Sequence, residues 1–322
     1  MAIKNTFLGV ALGAVAALTL ASTAAGNDYP TRTITMVVAY PAGQGTDLAA
    51  RFFADKLSAS LGQNVVVDNR PGAGGNVGTA SAARADADGY TILMGASGTH
   101  ALNPAMFADP GYDAAANFDP VAATIVIPMA ISAHSSLGVS SIPELIEAAQ
   151  ANPDQIDVAL PSVTAQLVLE MLKDAGAPLN GINYGGSGEA TAAVLGNQVP
   201  VLIDTLGASR RHFERLTPIA VTSPSAATSL PALASVQEQG IDGFSVTAWN
   251  VLYTLAGTPE SIRERLRDEM RTILLDPATA DTLREMGFEL SPWMEQEALE
   301  AWEQGERDTY GQVIRAAGLD GR

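Results

Sequence analysis

Residues 33–68 constrain the fold of this chain more than any other segment, because a helix pattern lies between two strand patterns. The β-branched, apolar residues 34–38 predict a buried strand, and residues 64–67 predict a second one. Between them, four apolar residues recur at a helical spacing: Ala49, Phe53, Leu57 and Leu61. Two strands joined by a helix form a β-α-β unit, so we expect parallel strands in an α/β sheet.

The turn between the first strand and its helix, residues 40–47, is rich in glycine and hydroxyl groups. Backbone N–H groups at a helix N-terminus lack intrahelical partners, and the helix dipole favours negative charge there. The turn is therefore suited to a small anion such as a carboxylate. Similar glycine- or hydroxyl-containing loops follow later strands at residues 95–100, 161–164 and 185–188. In open α/β sheets such loops face the ligand crevice.

The first 26 residues have the order of a secretory signal peptide. Lys4 precedes an apolar run at residues 7–20, and small residues follow at 21–26. We expect cleavage after Ala24 or Ala25, an uncleaved anchor being the alternative. The apolar run is too short to span a bilayer comfortably. The mature protein is expected to be soluble and exported to the periplasm.

The composition excludes several classes of partner. The formal net charge is −17, and no cluster of Lys or Arg interrupts the acidic sequence, so nucleic acid and anionic membranes are not expected ligands. Cys is absent, which excludes disulfides and thiolate sites. Because long-range steering would repel an anion, we expect an anionic ligand to be captured by local dipoles.

Two long apolar segments predict strands that pass between two lobes. They lie at residues 121–131 and 244–255. β-loop-α patterns occupy both halves of the chain, and helices are predicted at residues 260–275, 278–286 and 295–317. Two lobes joined in this way would place two sets of strand-end loops face to face.

Dinucleotide binding is the first competing interpretation. Gly43-Gln44-Gly45 follows a strand, and Asp68 ends the next strand, which imitates the nucleotide fingerprint. Leu48 stands where the third glycine is needed, and Gln44 crowds the turn. We therefore disfavour a nucleotide site.

Hydrolysis is the second competing interpretation. The G-x-S-x-G motif is absent, and no His has a Cys or an acidic residue near it at metal-ligand spacing. The three histidines, interpreted as loop or surface residues, are His100, His134 and His212. We expect neither a catalytic triad nor a metal or other cofactor.

Several aromatic and acidic residues allow two interpretations. Tyr40 and Tyr184 end strands beside glycine turns and are assigned to a pocket, whereas Phe118 and Trp249 are assigned to the core. Asp47 can cap the helix and can also orient the turn by accepting its N–H groups, and the two roles are compatible. Asp204, at the end of a strand, either repels an anion or accepts a hydrogen bond from a ligand hydroxyl or amine.

A series of short motifs resembles the extracytoplasmic solute receptors of tripartite tricarboxylate transporters, also called Bug proteins. The motifs run through nearly the whole mature chain: Tyr29-Pro30, Tyr40-Pro41-Ala42-Gly43-x-Gly45-Thr46-Asp47, Asn69-Arg70-Pro71-Gly72-Ala73-Gly74-Gly75-Asn76, Asp88-Gly89-Tyr90-Thr91, Gly98-Thr99-His100, Asn103-Pro104, Asp119-Pro120-Val121, Tyr184-x-Gly186-Ser187 and Leu230-Pro231. The run from Asn69 to Gly75 is the most specific of them.

The resemblance implies a fold and a function. The fold is a two-lobed, type II-like α/β periplasmic binding protein, with parallel-rich sheets, helices on both faces and two crossover strands. We expect one domain from residues 27–125 and 251–322, and a second from residues 126–250. The protein would be a monomer that binds a di- or tricarboxylate, or an aromatic or amino acid, and delivers it to integral-membrane transporter subunits. An exported enzyme with a similar fold is the alternative.

The resemblance also implies a set of ligand-binding residues. They are Tyr40, Ala42, Gly43, Gln44, Gly45, Thr46, Asp47, Ser97, Gly98, Thr99, Ser162, Val163, Thr164, Tyr184, Gly186, Ser187 and Asp204. Two positions depart from the family pattern. Gln44 replaces the usual small residue of the first turn, and Leu160-Pro161-Ser162-Val163 replaces a segment rich in glycine and serine. We expect both departures to affect the pocket.

Overall fold

A computed structural model of the chain describes residues 29–227, 229–316 and 318–321. The predicted export signal, residues 1–26, lies outside the described residues. Within these ranges no helix has both the length and the apolar character needed to cross a membrane.

The described residues form ten strands and ten helices around one extended sheet. The strands are β1 (Ile34–Val38), β2 (Val65–Asn69), β3 (Thr91–Ala96), β4 (Phe118–His134), β5 (Asp157–Leu160), β6 (Asn180–Asn183), β7 (Val201–Thr205), β8 (Leu216–Val221), β9 (Thr247–Leu255) and β10 (Glu289–Leu290). The helices are α1 (Gly45–Leu61), α2 (Asn76–Ala83), α3 (Asn103–Met106), α4 (Ile142–Ala151), α5 (Val163–Asp174), α6 (Ser187–Leu195), α7 (Leu206–Arg210), α8 (Glu260–Leu275), α9 (Pro277–Glu285) and α10 (Gln296–Ala316).

The predicted β-α-β unit is confirmed. β1 pairs in parallel with β2 from Ile34 opposite Val65, and it also pairs in parallel with β3. Helix α1 buries its apolar stripe against this sheet, and Phe53 and Leu57 are fully buried. Gly62, with a φ of 69°, adopts the left-handed conformation that ends the helix.

The sheet consists of two parallel regions joined by two long antiparallel strands. Its order is β2-β1-β3-β9-β4-β7-β5-β6, and β8 and β10 both pair with β4. β4 pairs with β9 from Phe118 to Pro128 and then with β7 from Met129 to Ala133, so one strand takes part in both regions. The crossover strands expected from the sequence are thus confirmed.

The two predicted domain limits lie next to each other in the β4–β9 pair. Ile125, the last residue assigned to the first segment, lies opposite Asn250 in the β4–β9 pair, next to the predicted restart at Val251. The division into two domains stays a prediction.

The loop predicted at residues 95–100 is wrong. β3 continues to Ala96, and a π-helical turn, Gly98–Leu102, leads directly into α3. The Thr99 hydroxyl explains the difference, because it donates to the Ala96 carbonyl at 3.1 Å and lies 3.2 Å from the Ala96 N–H. A hydroxyl that suggested a loop closes a helical turn instead.

The core includes one residue that the sequence interpretation placed wrongly. Trp249 and Phe118 are buried, as predicted. His100, expected in a loop or at the surface, is also fully buried, and its ring stacks on Tyr253 with the ring centroids 4.1 Å apart. Burial, with a contribution from the Arg307 charge, lowers the pKa of His100 to about 3. The neutral ring is therefore part of an aromatic core.

Candidate functional site

A narrow cavity, which we call the inner cavity, lies where the two parallel regions of the sheet meet. Its volume is about 30 Å³. It is lined by Tyr40, Gln44, Gly45, Thr46, Ala96, Ser97, Gly98, Ile127, Met129, Ser162, Val163, Thr164, Ser187, Asp204, Thr205 and Ala248. Eleven of the predicted ligand-binding residues are among them, although they come from five separate segments of the chain.

Three helix starts converge on the inner cavity. α1 begins after Gln44, α5 begins after Ser162, and α6 begins at Ser187. The first-turn N–H groups of a helix lack intrahelical acceptors, and the aligned peptide dipoles make these ends electropositive. The lining residues include no Lys or Arg. The positive potential that this cavity offers to an anion therefore comes from backbone dipoles.

The crossover strands supply the apolar floor of the inner cavity, which sequence analysis did not assign. Ile127 and Met129 come from β4, and Ala248 comes from β9. Ala96 and Thr205, at the ends of β3 and β7, were also missed. The sequence did contain a signal for this floor. Strands that are predicted to pass between two lobes must expose their midpoints to the space between the lobes.

Asp47 holds the first turn in place from beneath. Its carboxylate is buried and accepts hydrogen bonds from Gly43 N–H at 2.8 Å and from Asn69 Nδ2 at 2.9 Å, and it pairs with Arg51. Burial acts to raise the pKa of Asp47, but these partners outweigh it and hold the pKa below its usual value. Of the two interpretations of Asp47, the orienting one describes the contacts.

The capping interpretation of Asp47 is wrong. α1 begins at Gly45, so Asp47 is the third helical residue, and the residue before the helix, Gln44, makes no side-chain cap. The carboxylate instead reaches back to the N–H of Gly43, which precedes the helix. Gly43 has a φ of 88°, a left-handed conformation that favours glycine.

Gly45 allows two elements to approach each other closely. Its φ is not in the left-handed region, so the turn does not require a glycine conformation there. However, a Cβ at Gly45 would lie 3.2 Å from both Cγ2 and Oγ1 of Thr205, and 3.4 Å from Cδ1 of Ile127. Gly45 therefore lets the start of α1 approach the end of β7 across the cavity.

Thr46 is fixed by a side chain from the second crossover strand. Asn250 Nδ2 donates to Thr46 Oγ1 at 3.1 Å and to the Gly95 carbonyl at 3.0 Å. The amide thus joins the start of α1 to the end of β3. Sequence analysis assigned no role to Asn250.

Several buried polar atoms of the lining residues have no hydrogen-bond partner in the described part of the chain. They are Ser97 Oγ, Ser187 Oγ and Asp204 Oδ2. Buried polar groups in proteins are nearly always hydrogen-bonded, and an unpaired one requires an explanation such as water or a ligand. Three such atoms therefore lie around one cavity.

Asp204 is the only acidic residue of the inner cavity lining. Its Oδ1 accepts the Thr205 N–H at 2.7 Å. Burial raises the pKa of Asp204 to about 6, although the neighbouring Ser187 hydroxyl, the Thr205 N–H and the Arg211 charge act to lower it. The carboxyl group can therefore accept from a ligand donor when ionised, or donate to a ligand oxygen when protonated.

A larger space, which we call the outer cavity, adjoins the inner cavity. Its volume is about 320 Å³. Its walls include the glycine run Pro71–Gly75 on one side, and Pro161 and Tyr184 on the other. Four residues line both cavities: Tyr40, Gln44, Ser162 and Val163.

The remaining predicted residues lie around the inner cavity without lining it. Ala42 and Gly43 face a side groove that also includes Arg211 and His212. Thr99 is buried behind the cavity, where its hydroxyl lies 2.9 Å from His100 Nδ1. Gly186 packs closely against Pro41. A Cβ added at Gly186 would lie only 3.1 Å from Pro41 Cγ.

The acidic residue and the histidines of the competing interpretations lie outside the inner cavity lining. Asp68, which a nucleotide site would need, forms an ion pair with Arg70 at 2.8 Å and does not line the inner cavity. No group of three or more metal-ligating side chains occurs in the described part of the chain. His100, which lies closest to the site in sequence, contacts the Thr99 hydroxyl and the aromatic core rather than a cavity serine.

Comparison with known proteins gives consistent matches. A family model described as tripartite tricarboxylate transporter family receptor matches residues 49–319. A UPF0065 protein of Bordetella bronchiseptica is 35% identical over 266 residues, which cover 81% of this chain and 78% of the relative.

Solved structures are similar over most of the chain. An R. palustris protein solved with adipate has a TM-score of 0.88 at 30% identity, covering 92% of this chain and 100% of that one. Periplasmic binding protein BugD has a TM-score of 0.85 at 32% identity, covering 91% of this chain and 100% of that one. These similarities confirm the predicted two-lobed α/β fold.

Proposed function

Because this chain belongs to the tripartite tricarboxylate transporter receptor family, we propose that it binds a small organic carboxylate in the inner cavity. In this proposal the acid is held between the two lobes and delivered to the integral-membrane subunits of a tripartite transporter. The lobes would be residues 27–125 with 251–322, and residues 126–250. The receptor would act in the periplasm as a monomer, without a cofactor.

One observation carries the carboxylate assignment. The first turns of α1, α5 and α6 meet at a cavity that has no Lys or Arg in its lining and has two buried serine hydroxyls, those of Ser97 and Ser187, as further donors. A carboxylate is an acceptor with several lone pairs, so it suits several N–H and O–H donors that point to one place. The adipate in the R. palustris structure, which is 30% identical to this chain, supports a carboxylic acid as ligand.

The arrangement of side chains also supports binding rather than catalysis. A serine nucleophile needs a base within hydrogen-bond reach, and the Ser97 hydroxyl has no partner in the described residues. Asp204 is close to Ser187, but it lies at the end of β7 without an orienting third group. The alternative of an exported enzyme would require a nucleophile and a base held together by a further group, and Asp204 is the only acidic residue of this lining.

A thermal-shift screen of the mature protein tests this proposal. We would add one acid at a time, from a set of mono-, di- and tricarboxylates, aromatic acids and amino acids. The acid that gives the largest shift would then be recovered from the protein. Ligand at about a hundred times its Kd should stabilise the folded protein by about 2.7 kcal/mol. The ligand should be recovered chemically unchanged.

Arg70→Ala is a matched control, because Arg70 pairs with Asp68 and does not line the inner cavity. We expect the control variant to show the same shift as the wild type. Loss of binding in folded Arg70→Ala protein would replace dipole capture by an ion-pair mechanism. Chemical conversion of the acid would favour the enzyme alternative.

A further inference from the structure

Gln44 forms a wall between the inner and the outer cavity. Its side chain is only 7% exposed, and it lines both spaces. We propose that Gln44 limits the length of the acid that the receptor accepts, by closing the inner cavity towards the outer one. The proposal deepens the proposed function and rests on it.

The position of the Gln44 side chain is fixed from the opposite side of the cleft. Its Nε2 donates to the carbonyl oxygen of Pro161 at 3.2 Å, and the two residues are 117 positions apart in the chain. Gln44 precedes α1, beside β1, whereas Pro161 lies between β5 and α5. The hydrogen bond therefore spans the cleft between the two parallel regions of the sheet.

A second close approach across the cleft involves the backbone of Gly186. Gly186, before α6, lies against the first turn, since a Cβ there would be 3.1 Å from Pro41 Cγ and 3.5 Å from Gln44 Nε2. Even a methyl group at Gly186 would thus be in tight contact with the first turn. Gln44 is confined between Pro161 on one side and Gly186 on another.

The sizes of the two spaces make this wall decisive for ligand length. The inner cavity measures about 30 Å³ and the outer cavity about 320 Å³. The inner cavity therefore has room for about two water molecules, or for little more than one carboxylate group. The rest of an acid chain has to pass the lining that the two cavities share, and Gln44 is one of the four residues in it. The two departures from the family motif noted in the sequence, Gln44 and Pro161, are thus partners in one contact.

Calorimetric titration of the mature protein with a series of linear diacids tests the proposal. The probes are succinate, malate, glutarate and adipate, which contain four, four, five and six carbons. Wild-type protein should bind whichever of succinate and malate is the tighter ligand at least tenfold more strongly than it binds adipate. Gln44→Ala removes the wall, so its affinity for adipate relative to the four-carbon acid should rise at least tenfold.

Gln44→Met is the matched control, because it keeps most of the side-chain volume and removes the donor to Pro161. It should retain the wild-type preference for short acids. Gln44→Asn, which is shorter by one methylene and cannot reach Pro161 in the same way, serves as a second opening variant if Gln44→Ala does not fold. It should shift the preference in the same direction.

The outcomes separate this proposal from the function on which it rests. If wild-type protein binds the acids but the folded opening variant has the same adipate preference, the length role of Gln44 is wrong and the carboxylate receptor stands. A wild-type preference for adipate would likewise overturn the length role. If the wild type binds no carboxylate of any kind, the proposed function fails, and the length role fails with it.

Discussion

At the scale of single residues, Asp47 is the side chain on which the shape of the first turn depends most. Its carboxylate does not line the inner cavity, yet it accepts from Gly43 and Asn69 and pairs with Arg51 beneath the turn. Asp47→Ala removes the acceptor of the Gly43 N–H and of the Asn69 amide, which should cost about 1 kcal/mol of stability, the typical net contribution of a hydrogen bond. Asp47→Asn keeps the side-chain size and should cost less.

The same substitution should weaken ligand binding, because the donors of the turn lose their alignment. We expect at least a tenfold rise in Kd, which corresponds to about 1.4 kcal/mol. Urea unfolding and calorimetry on folded protein measure the two effects separately. An unchanged Kd in Asp47→Ala would reduce Asp47 to a structural residue and move the carboxylate site elsewhere.

Asp204 predicts a pH dependence of stability. Burial raises its pKa to about 6, above the ordinary value of 3.8, so the folded protein holds the proton more tightly than the unfolded chain does. The free energy of unfolding should therefore fall as pH rises between these two values. Relative to Asp204→Asn, which does not titrate, the wild type should lose about 3 kcal/mol across this window. Urea unfolding of both proteins from about pH 4 to 7.5 measures the difference, and a constant difference would contradict the raised pKa.

At the scale of elements, the sequence predicts regular segments well and their junctions less well. The predicted helix at residues 260–275 coincides with α8, and α9 and α10 were predicted to within one residue at each end. These segments carry strong helical periodicity. α7 and β10 were missed because five and two residues are too few to show a period.

The candidate site was partly predictable, because some of its residues lie at helix starts. Helix starts are recognisable from hydroxyl and glycine residues, so the sequence finds Gln44, Ser162 and Ser187. The floor of the inner cavity comes from the middle of crossover strands, where Ile127, Met129 and Ala248 resemble any buried apolar residue. Pairing across the sheet, which the sequence does not specify, decides that they face the cavity.

The close approach of α1 and β7 leads to a prediction at this scale. Gly45→Ala would place a Cβ 3.2 Å from Thr205 Cγ2, which forces the two elements apart across the inner cavity. We expect Kd for the acid to rise about tenfold, an energy of about 1.4 kcal/mol. In the double variant with Thr205→Ala, which removes the atoms in contact, most of the affinity should return. Calorimetry over this double-mutant cycle measures the coupling, and additive effects would contradict it.

At the scale of the whole molecule, the family predicted from motif order is confirmed by the family model. Motifs distributed along most of the chain specify a fold more strongly than any single turn does. The identity of the acid is not specified in this way, because in our proposal it depends on a few side chains such as Gln44, which contacts Pro161 from a distant segment.

The acidic surface predicts how fast an acid binds. With a net charge of −17, the protein repels an anion at long range, and the cavity lining offers no Lys or Arg to reverse this. Salt screens such repulsion, so the association rate should increase with ionic strength. Stopped-flow measurements at low and near-physiological salt test this expectation. A rate that falls with salt would indicate a cationic contact on the binding path.

The central claim is that backbone dipoles of helix starts hold a carboxylate in the inner cavity. The most direct test is a crystal structure of the mature protein with the tightest acid from the screen. We predict that the carboxylate oxygens lie within about 2.7–3.2 Å of N–H groups at the starts of α1 and α5, directly or through one ordered water. A carboxylate bound to an Arg or Lys side chain, or bound outside the inner cavity, would contradict the account.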